Sequence, residues 1–307
     1  MKVIFMGTSD FGCELLQNLI EDKNLEIIAV YTKEPSIAGR GKKFVKSAIH
    51  ELSLRHNLKV ITPKNFKNTK SVEEFRDLNA DLAIVISFGL ILPKDILSGT
   101  KYGCINIHPS KLPKWRGAAP MQRALISGDK KSAMTIIKMN EQLDAGDIIF
   151  QEEFDLDKHE NFITLSQKMS NLAVNLTQKT IEAIKGNNLK LSVQNHQQAT
   201  YASKILKEEC RIDWNDKAQN ILQKIRGLNG NLGAFFEYNG EKFKILEANI
   251  IYENYQTQAG TIINKDFIIK CQDFAIKPIL IQRSGKKPMN IKDLLLGFKP
   301  KIGEILT

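Results

Sequence analysis

Leu82-Ala83-Ile84-Val85-Ile86 is an unbroken apolar run between Asp81 and Ser87. A short run without alternation suits a strand buried on both faces, in the middle of a parallel sheet. Parallel strands need crossover helices, so this one segment commits the chain to an α/β architecture. The flanking sequence supplies the other parts. Residues 2–6 form a second apolar strand, followed by Gly7-Thr8-Ser9-Asp10-Phe11-Gly12 and the helical pattern Leu15, Leu16, Leu19, Ile20. Residues 27–31 and 59–62 read as strands, 44–56, 71–78 and 118–126 as helices, and 133–139 and 147–154 as two further strands. The order predicts a Rossmann-like, doubly wound, mostly parallel sheet. The glycines after the first strand do not spell G-x-G-x-x-G, so Gly7 is read as a turn residue rather than as part of a dinucleotide site.

Apolar residues Leu165, Met169, Leu172, Leu176, Ile181 and Ile184 recur at helical spacing and predict one long helix over Phe162–Lys185, ended by Gly186-Asn187-Asn188. Residues 187–204 are polar and read as a linker. Beyond them come a helix at 214–228 and five short strands at 234–238, 243–251, 260–264, 267–272 and 278–282, with a hairpin signal at Asn239-Gly240. This pattern predicts a small C-terminal β-barrel of OB type. The expected organisation is therefore a catalytic domain at 1–186, a linker at 187–204 and a barrel domain at 205–307.

The net charge of +10 suits a polyanionic partner, and residues 200–307 are the more basic part per residue. The four cysteines are far apart and form no CxxC, so each is expected to be a buried, reduced thiol. No apolar stretch is long enough to span a bilayer. A cytoplasmic monomer is expected, with no membrane partner. No two histidines have metal-ligand spacing, and no metal is expected.

The stretch Cys104-Ile105-Asn106-Ile107-His108-Pro109-Ser110-Lys111-Leu112-Pro113-Lys114-Trp115-Arg116-Gly117-Ala118-Ala119-Pro120 is a strand that breaks into a basic, Pro-containing loop. Asn106 and His108 stand two apart, so they project from one face at the strand's carboxyl end, where open α/β sheets hold ligands. Leu143-Asp144-Ala145-Gly146-Asp147 is a turn that can bring Asp144 to the same edge. An amide, an imidazole and a carboxylate suit transfer of an acyl group to an amine: the amide as oxyanion donor, the imidazole as proton handler, the carboxylate as its partner. No Ser or Cys lies in a nucleophile-elbow context, which favours direct transfer over an acyl-enzyme. Taken singly, each residue has an ordinary structural explanation as a strand-end, turn or capping group. The basic, glycine-containing stretch 32–43 reads as a long loop suited to a polyphosphate or as a solvated surface loop.

The motif from Asn106 to Pro120 resembles the signature of the methionyl-tRNA formyltransferase family. So do Gly7-Thr8-Ser9-Asp10-Phe11, Ala38-Gly39-Arg40-Gly41-Lys42-Lys43, Phe88-Gly89-Leu90-Ile91-Leu92-Pro93 and Leu143-Asp144-Ala145-Gly146-Asp147. The resemblance continues more weakly through Tyr201, Arg211-Ile212-Asp213-Trp214 and Gly285-Lys286-Lys287. It implies 10-formyltetrahydrofolate as donor and the α-amine of initiator methionyl-tRNA as acceptor. It implies Asn106, His108 and Asp144 as catalytic residues, and Ser110, Lys111, Leu112 and Pro113, with Phe88, Gly89 and Leu90, as folate contacts. Arg40, Lys42 and Lys43 then belong to a loop that meets the tRNA. Departures from the family pattern are Pro109 in place of a glycine, Lys111 in place of an apolar residue, and the lack of a Pro- and Trp-containing segment near Leu228-Asn229-Gly230. A formyltransferase acting on a sugar nucleotide or on glycinamide ribonucleotide, and a non-catalytic RNA-binding module, are the competing readings.

Overall fold

The computed structural model describes residues 1–38, 43–230 and 232–306, which fall into two compact units. The first comprises residues 1–120, 131–154 and 166–202, the second 121–130, 155–165 and 203–307.

The first unit is built on β1 (Lys2–Gly7), β2 (Glu26–Tyr31), the hairpin β3 (Ser36–Ala38) and β4 (Lys43–Val45), β5 (Val60–Ile61), β6 (Leu82–Ile86), β7 (Cys104–His108), β8 (Arg116–Gly117), β9 (Lys131–Lys138), β10 (Ile148–Asp155) and β11 (Tyr201–Ala202). Seven of these strands form one sheet in the order β10-β9-β7-β6-β1-β2-β5. β5, β2, β1, β6 and β7 are mutually parallel, and β9 runs antiparallel to β7. Every residue of β6 is buried, as its apolar run requires. The chain moves outward from β1 through β2 to β5, then returns to β6 on β1's other side. The strand order therefore reverses between β1 and β6, which is the switch point where such sheets bind ligands. Thr8 Oγ1 at the end of β1 donates to the carbonyl of Phe88 beyond β6, 3.0 Å away, and ties the two strand ends together.

Of the helices in this unit, α1 (Cys13–Glu21) buries Leu15, Leu16 and Leu19, as its spacing predicts. The helix expected over 44–56 is shorter. Phe44 and Val45 pair back onto Ser36–Ala38, and α2 (Ala48–Arg55) begins only after Ser47, whose side chain caps it by accepting from His50 N. α3 (Thr69–Arg76) and α4 (Lys94–Leu97) follow, and the long α6 (Phe162–Lys185) runs mostly in this unit, whereas α5 (Pro120–Ile126) falls, after Pro120, in the second.

The expected linker is not a free segment: residues up to Ala202 pack with the first unit. β11 pairs in parallel with β8, and Ser192 pairs with Ile148. Most of the segment is exposed, and Gln194 and Ala202 are its buried residues.

In the second unit, α7 (Ala218–Gly227) is followed by β12 (Ala234–Tyr238), β13 (Glu241–Ile251), β14 (Ile269–Lys270), β15 (Ala275–Arg283), β16 (Met289–Asn290) and α8 (Ile291–Gly297). The sheet is antiparallel in the order β12-β13-β15-β14, with β16 also on β15. α7 starts later than expected because Trp214 is drawn into the core, where its ring meets Phe236 edge-on at 5.7 Å. Phe236 stacks on Phe243 with ring centroids 5.5 Å apart. The strand expected at 260–264 is reduced to isolated bridges, Thr261 with Ile305 and Ile262 with Ile269. Among the described residues no ladder joins β12 to β14, so the domain is an antiparallel sheet with two helices. No described helix is long and apolar enough to cross a membrane.

Candidate active site

β7 ends between β6 and β9, so its last residues emerge beside the switch point. Asn106 and His108 lie on one strand face and are buried, at 9% and 4% exposure. Asp144 comes to them from the turn between β9 and β10. Its Oδ1 accepts from Asn106 Nδ2 at 3.0 Å, and its Oδ2 accepts from Gly117 N at 2.8 Å. The same Oδ2 stands 3.5 Å from His108 Nδ1. One carboxylate thus meets all three elements of the site.

Two unusual backbone conformations hold this arrangement. Asp144 sits at φ +48, in the left-handed region that Asp tolerates better than most residues. Trp115 sits there too, at φ +63, where a bulky side chain costs of order 1–3 kcal/mol. That twist aims the Trp115 carbonyl at His108 Nε2, 2.8 Å away. A carbonyl only accepts, so Nε2 donates at this contact, and Nδ1 faces the Asp144 carboxylate. Gly117 follows at φ +119, and a Cβ there would stand 2.8 Å from the Ala202 carbonyl. The close approach of β8 and β11 therefore requires glycine.

Pro109 closes a three-residue turn in which Ser110 N donates to the His108 carbonyl at 2.9 Å. The central residue of an inverse γ-turn has φ near the value proline imposes, and its N–H is not needed. Pro109 thus stiffens the exit from β7.

The loop residues expected to contact folate have mixed placements. Ser110 Oγ donates to the Lys114 carbonyl at 2.7 Å, and the Ser110 carbonyl accepts from Thr135 Oγ1 at 2.6 Å. Leu112 is buried, and its carbonyl accepts from Gln151 Nε2 at 3.0 Å; Pro113 is half-buried. Lys111 is drawn to β10, where it pairs with Glu153, which Lys131 also meets at 2.8 Å. These two lysines hold the Glu153 carboxyl down to about 2. Phe88 is 2% exposed, its ring packs with Phe66 in the core, and its carbonyl accepts from Thr8. Gly89, at φ +75, and the half-buried Leu90 continue that backbone at the switch point. Arg40 and Lys42 lie outside the described residues, and of Lys43 only the backbone in β4 is described.

Sequence reasoning missed Arg116, Gln194 and Thr200. Thr200 Oγ1 accepts from Trp115 N at 3.0 Å, and buried Arg116 donates to Gln194. A Gln in a polar string gives no signal of its own, and its partners lie 48 to 78 positions away in the chain.

An amide, an imidazole and a shared carboxylate at the switch edge of a doubly wound sheet define an α/β group-transfer enzyme. Residues 1–181 match the model of the formyl transferase family, and residues 204–299 match that of the formyl transferase C-terminal domain. The methionyl-tRNA formyltransferase of Ehrlichia canis is 41% identical over 301 residues, 97% of each chain. That of Rickettsia bellii is 41% identical over 302 residues, 98% of each chain. The chain belongs to the methionyl-tRNA formyltransferase family. The fold is also that of solved formyltransferases. The Clostridium thermocellum methionyl-tRNA formyltransferase superposes with a TM-score of 0.57 at 20% identity, covering 82% of this chain and 94% of that one. An N-formyltransferase of Helicobacter canadensis, solved with folinic acid and dTDP-3-aminofucose, gives 0.66 at 20% identity, covering 91% and 98%.

Proposed function

We propose that the cluster at the end of β7 is where this chain transfers a formyl group from 10-formyltetrahydrofolate to the α-amino group of methionine on initiator tRNA. The observation that carries this reading is the Asp144 carboxylate, in contact with Asn106 at 3.0 Å and facing His108 at 3.5 Å.

The donor supplies a formyl carbon activated by its bond to nitrogen. The amine attacks it directly, without an acyl-enzyme. Asn106 has two amide N–H groups, and Asp144 takes one of them. The other is free to donate to the formyl oxygen as negative charge develops there, an oxyanion-hole role. His108 Nδ1 faces the Asp144 carboxylate, and the amine's proton passes to this pair. The carboxylate beside the ring stabilises the imidazolium that results; the bond from the formyl carbon to the folate nitrogen then breaks, and that nitrogen leaves with the proton the imidazolium returns. Gly117 N and Asn106 hold the carboxylate in that position.

We further assign the backbone of Phe88, Gly89 and Leu90 and the Ser110–Pro113 loop to the folate. The residues Arg40, Lys42 and Lys43, together with the basic C-terminal unit, are assigned to tRNA phosphates. The acting unit is read as a cytoplasmic monomer; its four thiols are free, which suits a reducing compartment.

The test is a formyl-transfer assay with charged initiator tRNA set against a sugar-nucleotide amine and glycinamide ribonucleotide. Transfer to the tRNA is expected. Transfer to a small amine alone would overturn the assignment of the acceptor.

A further inference from the structure

The segment 192–202 meets the supports of both His108 and Asp144. Gln194, 3% exposed, donates from Nε2 to the carbonyls of Asp144, at 2.9 Å, and Gly146, at 2.7 Å. Its Oε1 accepts from Arg116 Nε at 3.3 Å and Nη2 at 2.7 Å. Arg116 is itself 4% exposed, and its Nη2 stands 3.0 Å from His196 Nδ1. A guanidinium only donates and a carbonyl only accepts, so turning the Gln194 amide over would oppose like groups at every contact. Further along, Thr200 holds the backbone of Trp115, whose carbonyl accepts from His108 Nε2.

Asp144 needs this support. Its φ of +48 is a conformation that persists only where the surroundings over-determine it. Gln194 grips the turn at Asp144 and again two residues later, at backbone atoms, and leaves the carboxylate free to face Asn106 and His108.

We infer that Gln194, clamped by Arg116, is a positioning residue for formyl transfer, fixing the Asp144 turn so that the carboxylate stands against Asn106 and His108. The inference rests on the reading of Asp144 as part of the reaction centre. Gln194 contacts the Asp144 backbone and acts through that residue. Removing its donors leaves two carbonyls unpaired and lets the turn relax. A displacement of about 1 Å at a reacting group can cost on the order of 100-fold in rate.

Two variants test this. Gln194→Glu keeps the acceptor for Arg116 but sets a carboxylate oxygen against the carbonyls of Asp144 and Gly146. Gln194→Met is close in size and makes none of the four contacts. Gln194→Glu is expected to melt within a few degrees of the parent, because Arg116 gains an ion pair. Its kcat should fall by roughly 10- to 100-fold. KM for the formyl donor and for initiator methionyl-tRNA should stay within about threefold, because uniform binding is untouched. A structural role alone would lower Tm or folded yield and leave kcat per folded molecule at the parent value in both variants; that result overturns the inference. Asp144→Asn, measured alongside, separates the two claims. Parent kcat in Asp144→Asn would remove the reading on which the inference rests. An inactive Asp144→Asn with fully active Gln194 variants would remove the inference alone. In the double variant, Gln194→Met should add no further loss to Asp144→Asn. Additive losses would mean that Gln194 acts elsewhere.

Discussion

The Asn106 amide and the Asp144 carboxylate, 38 residues apart in the chain, share a hydrogen bond of 3.0 Å at the carboxyl edge of the sheet. The bond fixes which way the amide points. Asn106→Asp would replace it with two carboxylates in contact, of which one must take up a proton or move away. Formyl transfer should fall by roughly 100- to 1000-fold, the loss typical of an oxyanion donor. The check is kcat on charged initiator tRNA, with circular dichroism to establish that the variant is folded. Activity within a few-fold of the parent would remove Asn106 from the mechanism.

Gly146 and Gly240 should behave in opposite ways. A Cβ on Gly146 would stand 1.8 Å from the Lys138 carbonyl, a contact that no side-chain rotation relieves. Gly146→Ala should cost more than about 3 kcal/mol and displace the turn carrying Asp144. Gly240 has φ +74 with nothing within 4 Å of a new Cβ, so Gly240→Ala should cost only about 1 kcal/mol from backbone strain. Urea unfolding of both variants measures the difference. Equal losses would contradict the packing at Gly146.

Lys111 tests the folate-side loop. Its ammonium pairs with Glu153 on β10. If that pairing is its main role, Lys111→Met should change KM for the formyl donor by less than about threefold. A tenfold or greater rise, measured by steady-state titration of the donor, would show that the Lys111 ammonium itself meets the folate.

Thiol chemistry gives a pH signature. Burial pushes both the Cys104 and the Cys271 thiol up to about 12. An unfolded cysteine ionises near 8.5. The folded state therefore holds protons that the unfolded state releases, and these thiols contribute stability that is present below about pH 8.5 and lost as pH rises towards 12. Cys104→Ala should flatten the alkaline fall in stability. At pH 8, iodoacetamide should modify the half-exposed Cys13 before Cys104 or Cys271. Rapid labelling of Cys104 in the folded chain, seen by peptide mass mapping, would contradict its burial.

The sequence shows the sheet and the strand-borne half of the site because both rest on short-range patterns. The run 82–86 forms β6, the long periodic stretch forms α6 over Phe162–Lys185, and the two-residue spacing brings Asn106 and His108 to one face. Pairings between distant segments are not visible in that way. Phe44 and Val45 look helical until their partner, Ser36–Ala38, is known. Residues 187–204 look like a linker because Gln194 and Thr200 are polar, yet both are committed to the loops around the site. Phe88 lies in a family motif, but its ring serves the core. Pro109 becomes intelligible only once the turn between His108 and Ser110 is seen.

The central claim is that the cluster of Asn106, His108 and Asp144 performs the chemistry and that tRNA is held elsewhere. The most direct measurement is formyl transfer and initiator methionyl-tRNA binding on the same preparation of His108→Ala. Transfer should fall by about 1000-fold, within the range of general acid–base contributions. The Kd for the tRNA should change by less than about threefold, because the imidazole adds nothing to uniform binding. Transfer at a near-parental rate, or a parallel loss of transfer and binding, would contradict the account.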